Sequence, residues 1–184
     1  MDADTVRQVL ETLSLEVRAT PTGAGPISAS MLVQAYTTAT GQAAGDAVTM
    51  QLQRLPGLTA RDAEPGTRSF IEQEFLETLQ GLGIARLLFQ GARTGPEARS
   101  RGNPVDHRRW MGSLDELAAS VAVYELRQAK WTYDTLQEFI RQNSDCQLGG
   151  DLFQVAMTWA AEDAAVLDLR GVTLSGVHVS GGEP

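Results

Sequence analysis

Residues 64–81 run Glu64-Pro-Gly-Thr-Arg-Ser-Phe70-Ile-Glu-Gln-Glu-Phe-Leu-Glu-Thr-Leu-Gln-Gly81, and two kinds of order meet inside them. Pro65-Gly66 is turn chemistry, and it closes a loop over 58–70 that ends in a short extended piece at Thr67–Phe70. From there the period changes. Ile71, Phe75, Leu76 and Leu79 recur at three- and four-residue steps, which predicts a helix over 71–81. A brief extended segment handing over to an amphipathic helix is the one departure from helix in the first half of the chain.

Working toward the N-terminus, Val6, Val9, Leu10, Leu13 and Val17 place an amphipathic helix over 4–18 with Asp4 as its cap, stopped by "TPTGAGP" at 20–26. Ser28 caps a second helix, with Leu32, Ala35, Tyr36 and Ala39 on one face and Gly41 at its end. A third starts near Asp46, carries Val48, Leu52 and Leu55, and stops at Pro56-Gly57. Working toward the C-terminus, Gly81 and Gly83 fit helix ends, and "IARLLFQ" at 84–90 suits helix or strand. Residues 91–112 have no apolar period and read as a linker or loop. Ser113-Leu-Asp-Glu116 matches a capping box. It opens a long helix to about Gln142, with Leu117, Val121, Tyr124, Leu136, Phe139 and Ile140 among its apolar positions. Asp151 caps a final helix bearing Leu152, Val155, Ala156 and Trp159.

The chain then closes on three similar pentapeptides, "LDLRG VTLSG VHVSG" at 167–181. In a right-handed pentapeptide coil Leu169, Leu174 and Val179 point inward, flanked by Leu167, Val172 and Val177, with glycine at each bend. Such repeats bury a face only by stacking on neighbours, which here means the 151–160 helix or another molecule. A β-meander with Arg-Gly and Ser-Gly turns is the other possibility.

"SLEVRATPTGAGPISASMLVQAYTTATG" at 14–41, "LQRLPGL" at 52–58 and the opening stretch together resemble the helical and winged-helix region that follows the nucleotide-binding domain in bacterial STAND NTPases (NACHT-like proteins). The resemblance places Thr67–Phe70 in the wing. It implies a continuation into pentapeptide-like repeats and a role in signalling and often in antiviral defence. No G-x-x-x-x-G-K-[ST] occurs, so the phosphate-cradling loop of that family is missing here.

Composition excludes some chemistry. The net charge is −8 and the apolar share 42%, so a core can form while wholesale binding to nucleic acid is disfavoured. The helix at 71–81 carries Glu72, Glu74 and Glu77 and no base, which sets it against a duplex. The single Cys146 rules out an internal disulfide, and no apolar run approaches membrane-spanning length, so a cytoplasmic location is expected. His107 and His178 stand in no ligand spacing. Cys146, His107 and Asp151 could form a nucleophilic set only if the fold gathered them. No catalytic, cofactor or metal residue is assigned, and no cofactor is expected.

What remains for function is contact. Arg93, Arg99, Arg101, Arg108 and Arg109 give residues 93–109 a local balance of +3, against −11 elsewhere, and could hold an acidic or phosphate-bearing partner. Leu169, Leu174 and Val179 are the apolar counterpart. The sequence therefore predicts a mainly α protein in three parts: a helical, winged-helix-like unit at 1–90, the basic segment 91–112, and 113–184 with a long helix and a short C-terminal β-coil. It predicts a non-catalytic regulatory or protein-interaction module that binds a protein partner or itself. A structural assembly subunit, such as one of a phage particle, and a small enzyme are the alternatives.

Overall fold

The computed structural model describes residues 1–61, 65–93, 110–143 and 146–163. They form seven α-helices and one two-stranded hairpin, so the fold is mainly α. Helix α1 spans Ala3–Glu16 and passes into a 3-10 turn at Val17–Ala19. Its cap is Asp2 and not Asp4. The Asp2 carboxylate accepts from the Thr5 amide at 2.8 Å and from the Thr5 hydroxyl at 2.9 Å, and these bonds hold it below the usual carboxylate range. Helices α2 (Ala29–Thr40) and α3 (Asp46–Leu52) follow. Ser28 accepts from the Met31 amide, and Gly41 ends α2 at φ 71° with its amide on the Thr37 carbonyl, both at the expected residues.

The loop expected at 58–70 contains a second strand. β1 (Leu58–Ala60) pairs antiparallel with β2 (Arg68–Phe70), and Ile27 bridges Arg68 through two 2.9 Å backbone bonds on the other side. Gly57 makes the entry possible. Its φ is +79°, and a Cβ there would lie 2.1 Å from the Phe75 ring. The order of described elements here is helix, bridge, helix, helix, hairpin.

Helix α4 runs unbroken over Gln73–Arg93, so 71–81 and 84–90 are one helix and Gly81 and Gly83 lie in its middle. A Cβ on Gly81 would sit 2.4 Å from the Ala118 carbonyl, and one on Gly83 3.0 Å from Leu15. The glycines let the helix at Glu116–Gln128 (α5) and α1 close onto α4 from two sides. Leu76 and Leu79 enter one cluster with Val9, Leu10, Leu13, Ile27, Leu32 and Leu52; Ile84 and Leu88 enter the other. The boundary expected near residue 90 thus falls inside a helix.

The long helix expected over 113–142 is two: α5 (Glu116–Gln128) and α6 (Tyr133–Gln142), separated by Lys130 at φ 58°. Asp115, not Ser113, caps α5 by accepting from the Leu117 amide, and Thr132 caps α6. Ala118, Ala119, Ala122, Val123 and Leu126 are buried, while Leu117 and Tyr124 face solvent. Helix α7 covers Gln147–Asp163 and packs on α5 and α6 through Leu148, Leu152, Val155, Ala156 and Trp159. Asp151, expected as its cap, is a fully buried residue within it.

Candidate functional site

The most heavily bonded polar group joins the two clusters. Arg18, in the 3-10 turn, is 2% exposed and meets Asp151 of α7 through a fork: Nη1 donates to Oδ2 at 2.6 Å and Nη2 to Oδ1 at 2.8 Å. Nη2 also donates to the Gly112 carbonyl at 2.6 Å, and the guanidinium lies 4.3 Å from the centre of the Trp110 ring. Asp151 accepts in addition from the Leu114 amide at 2.9 Å. Every partner is protein, and the two charges are compensated by bidentate geometry. This is a joint, with no face open to a substrate.

A second buried charge lines a cleft between α1, α2 and α4. Glu11, 1% exposed, takes a bond from Arg7 Nε at 2.7 Å and pairs with Arg86 across the helix crossing. That contact raises the Arg7 guanidinium above its ordinary value. Gln8, Thr12, Thr38 and Gln90 add polar lining and Leu15, Ala39 and Leu87 apolar lining, and the cavity holds about 50 Å³. That is room for a few waters, whereas ligand pockets usually run to roughly 300–1,000 Å³. Among the described residues no group of three His, Cys, Asp or Glu could hold a metal.

The third feature is a surface. A shallow open groove runs along α2, lined by Ala29, Ser30, Val33, Gln34, Thr37 and Thr38. From Ala19 to Gly45 the chain carries no Asp, Glu, Lys, Arg or His. In α3 the exposed side chains include Ala47, Met50 and Gln51, and its only charge is Asp46. Across α2 and α3 the single charge is thus Asp46, and the first cations beyond α3 are Arg54, then Arg61 and Arg68 at the hairpin.

The contact residues expected from sequence, Arg99, Arg101, Arg108, Arg109, Leu169, Leu174 and Val179, lie outside the described residues, as does His107 of the nucleophilic set. Cys146 is partly buried against the second cluster, its thiol on the Asn143 carbonyl, and Asp151 is committed to Arg18. Sequence reasoning missed Arg18 because its partner stands 133 positions away and leaves no local pattern. The charge-free run, by contrast, was open to inspection. Compared with protein-family models, curated proteins and solved structures, the chain finds no match.

Proposed function

We propose that this chain is a non-catalytic protein-interaction module, of the kind found beside the nucleotide-binding motor in bacterial STAND NTPases, with a role in signalling and antiviral defence. One observation carries the proposal: a winged-helix-like order of elements whose α2 and α3 surface offers no positive charge within either helix. Phosphate contacts supply most of the affinity of nucleic-acid binders, so this surface suits protein and not duplex. Its uncharged side chains cost less to desolvate than charges would, provided a partner's polar groups meet the Ser, Thr and Gln side chains.

The test starts from the reading frame and its neighbours, where a P-loop module is expected. Calorimetric titration of the chain with that module should give saturable binding that Thr37→Arg and Met50→Arg weaken by about tenfold or more. Duplex DNA at low salt should not bind. No P-loop gene nearby, or tight salt-sensitive duplex binding, would overturn the proposal.

A further inference from the structure

We infer that the outward line Leu117–Val121–Tyr124 of α5 is a docking surface for a basic amphipathic helix of a partner protein. The three residues fall at i, i+4 and i+7, within about 60° of one another around the helix. Leu117 and Tyr124 lie opposite the buried face Ala119, Ala122, Val123 and Leu126, and Val121 at their flank closes against α4. A helix facing solvent normally carries charge there. Instead Tyr124 is 61% exposed and Leu117 37%, while Val121 sits half-buried beside Gly81 of α4. A flat aromatic and a leucine two turns apart, about 10 Å along the axis, match the anchor spacing of helix-in-groove recognition.

The charges around the line select the occupant. Asp115 and Glu116 stand at its start, and Glu125 borders it on the other side. Of the nearby cations, Arg7 pairs with Glu11 and also stands near Glu125, and Arg127 pairs with Asp163, so Asp115 and Glu116 carry most of the rim's charge. The rim is therefore acidic, on a chain of net charge −8. A second copy would bring two acidic rims and two acidic bodies together, which like-charge repulsion opposes. A helix with leucine-type anchors on one side and Lys or Arg beside them satisfies both the apolar line and its rim. The inference rests on the interaction-module proposal and names the chemistry of a partner, at a surface other than α2 and α3.

Fluorescence anisotropy with the full chain tests it. The probe is a labelled designed helix with Leu at i, i+3, i+4 and i+7 and Lys or Arg elsewhere. Micromolar binding is expected, lost by about tenfold or more in Leu117→Ser and Tyr124→Ser and weakened several-fold in Glu116→Gln and Glu125→Gln. Both apolar side chains are exposed, so circular dichroism and urea midpoints of the variants should match wild type. Equal binding by a probe with Ser in place of Leu would reduce the effect to charge alone and overturn the inference. So would unchanged affinity in Tyr124→Ser, or sedimentation showing a dimer that Tyr124→Ser dissociates. Thr37→Arg should leave this binding intact. Loss of P-loop-module binding in Thr37→Arg, with no effect of Tyr124→Ser on the probe, would sink this surface and leave the module proposal standing.

Discussion

Arg18 sits two residues past α1 with its guanidinium held by a carboxylate, a carbonyl and an indole face. Removing one member of such a pair strands the other charge in the core. Arg18→Met should therefore cost about 3–5 kcal/mol, and Asp151→Asn less, because an amide oxygen can still accept from Leu114 and from Arg18. Arg18→Met with Asp151→Leu should recover most of the loss, since apolar packing can replace a buried pair. Urea midpoints at constant slope would measure all three. Glu16 is a different case. It ends α1 with no hydrogen-bond or ion-pair partner among the described residues, and burial pushes its carboxyl up to about 7. The folded state then holds a proton that the unfolded chain releases near 4.5, so stability falls as pH rises from about 4.5 to 7 and is flat above. Glu16→Gln should leave stability unchanged near pH 4. At pH 8 it should raise it by roughly 1–3 kcal/mol, once the water still reaching the group is allowed for. The same gain at both pH values would show that packing, and not titration, is responsible.

In α4 each glycine trades helix propensity against close approach. Alanine would gain about 1 kcal/mol of intrinsic propensity at either position. At Gly81, however, the new methyl meets a backbone carbonyl at 2.4 Å, which cannot move without shifting α5. Gly81→Ala should destabilise by about 1–2 kcal/mol net. At Gly83 the neighbours are the Leu15 side chain at 3.0 Å and the Glu11 carbonyl at 3.1 Å, contacts that ask for only a small shift, and Gly83→Ala should fall within about 1 kcal/mol of neutral. Thermal midpoints of the two variants separate these outcomes; equal gains would mean the crossings are looser than described. The same helix shows what the sequence could and could not reveal. Apolar spacing found α1, α2, α3 and α7, because each presents one wet face and one dry one. It misplaced the end of α4, because a glycine that admits a neighbouring helix looks the same in sequence as one that ends a helix. It fused α5 and α6, because the break uses Lys130 at positive φ where a glycine would have signalled it. Of the apolar positions named in α5, Leu117 and Tyr124 face solvent, because the core there is built mainly on alanines. The caps expected at Asp4 and Ser113 are each two residues off, the one at Asp151 about five, and strand β1 lies where a loop is expected. For the site, the charge-free α2 run was legible, whereas the Arg18–Asp151 joint exists only in three dimensions.

Across the whole molecule, two apolar clusters are tied by three separate devices. Helix α4 supplies Leu76 and Leu79 to one and Ile84 and Leu88 to the other. Leu15 leaves α1, whose other apolar residues line the first cluster, to join the second. Arg18 then locks the end of α1 to α7 through Asp151. Opening either cluster alone would expose half of α4's apolar face and strand a buried charge, so the two should unfold together. The placement of the tryptophans makes this measurable. Trp110, Trp131 and Trp159 are the only three in the chain, and all belong to the second cluster. Their fluorescence follows that cluster alone, while far-ultraviolet circular dichroism follows every helix. Coincident urea transitions by the two probes are expected in the wild type, as for a single cooperative unit. In Arg18→Met one tie is gone but α4 still runs through both clusters, so the shared midpoint should drop without splitting. Two separated midpoints in the wild type would mean that the clusters are independent units and that a domain boundary lies near residue 90 despite the continuous helix. Separation only in Arg18→Met would assign the coupling to the buried pair, and not to the glycine-lined helix crossing.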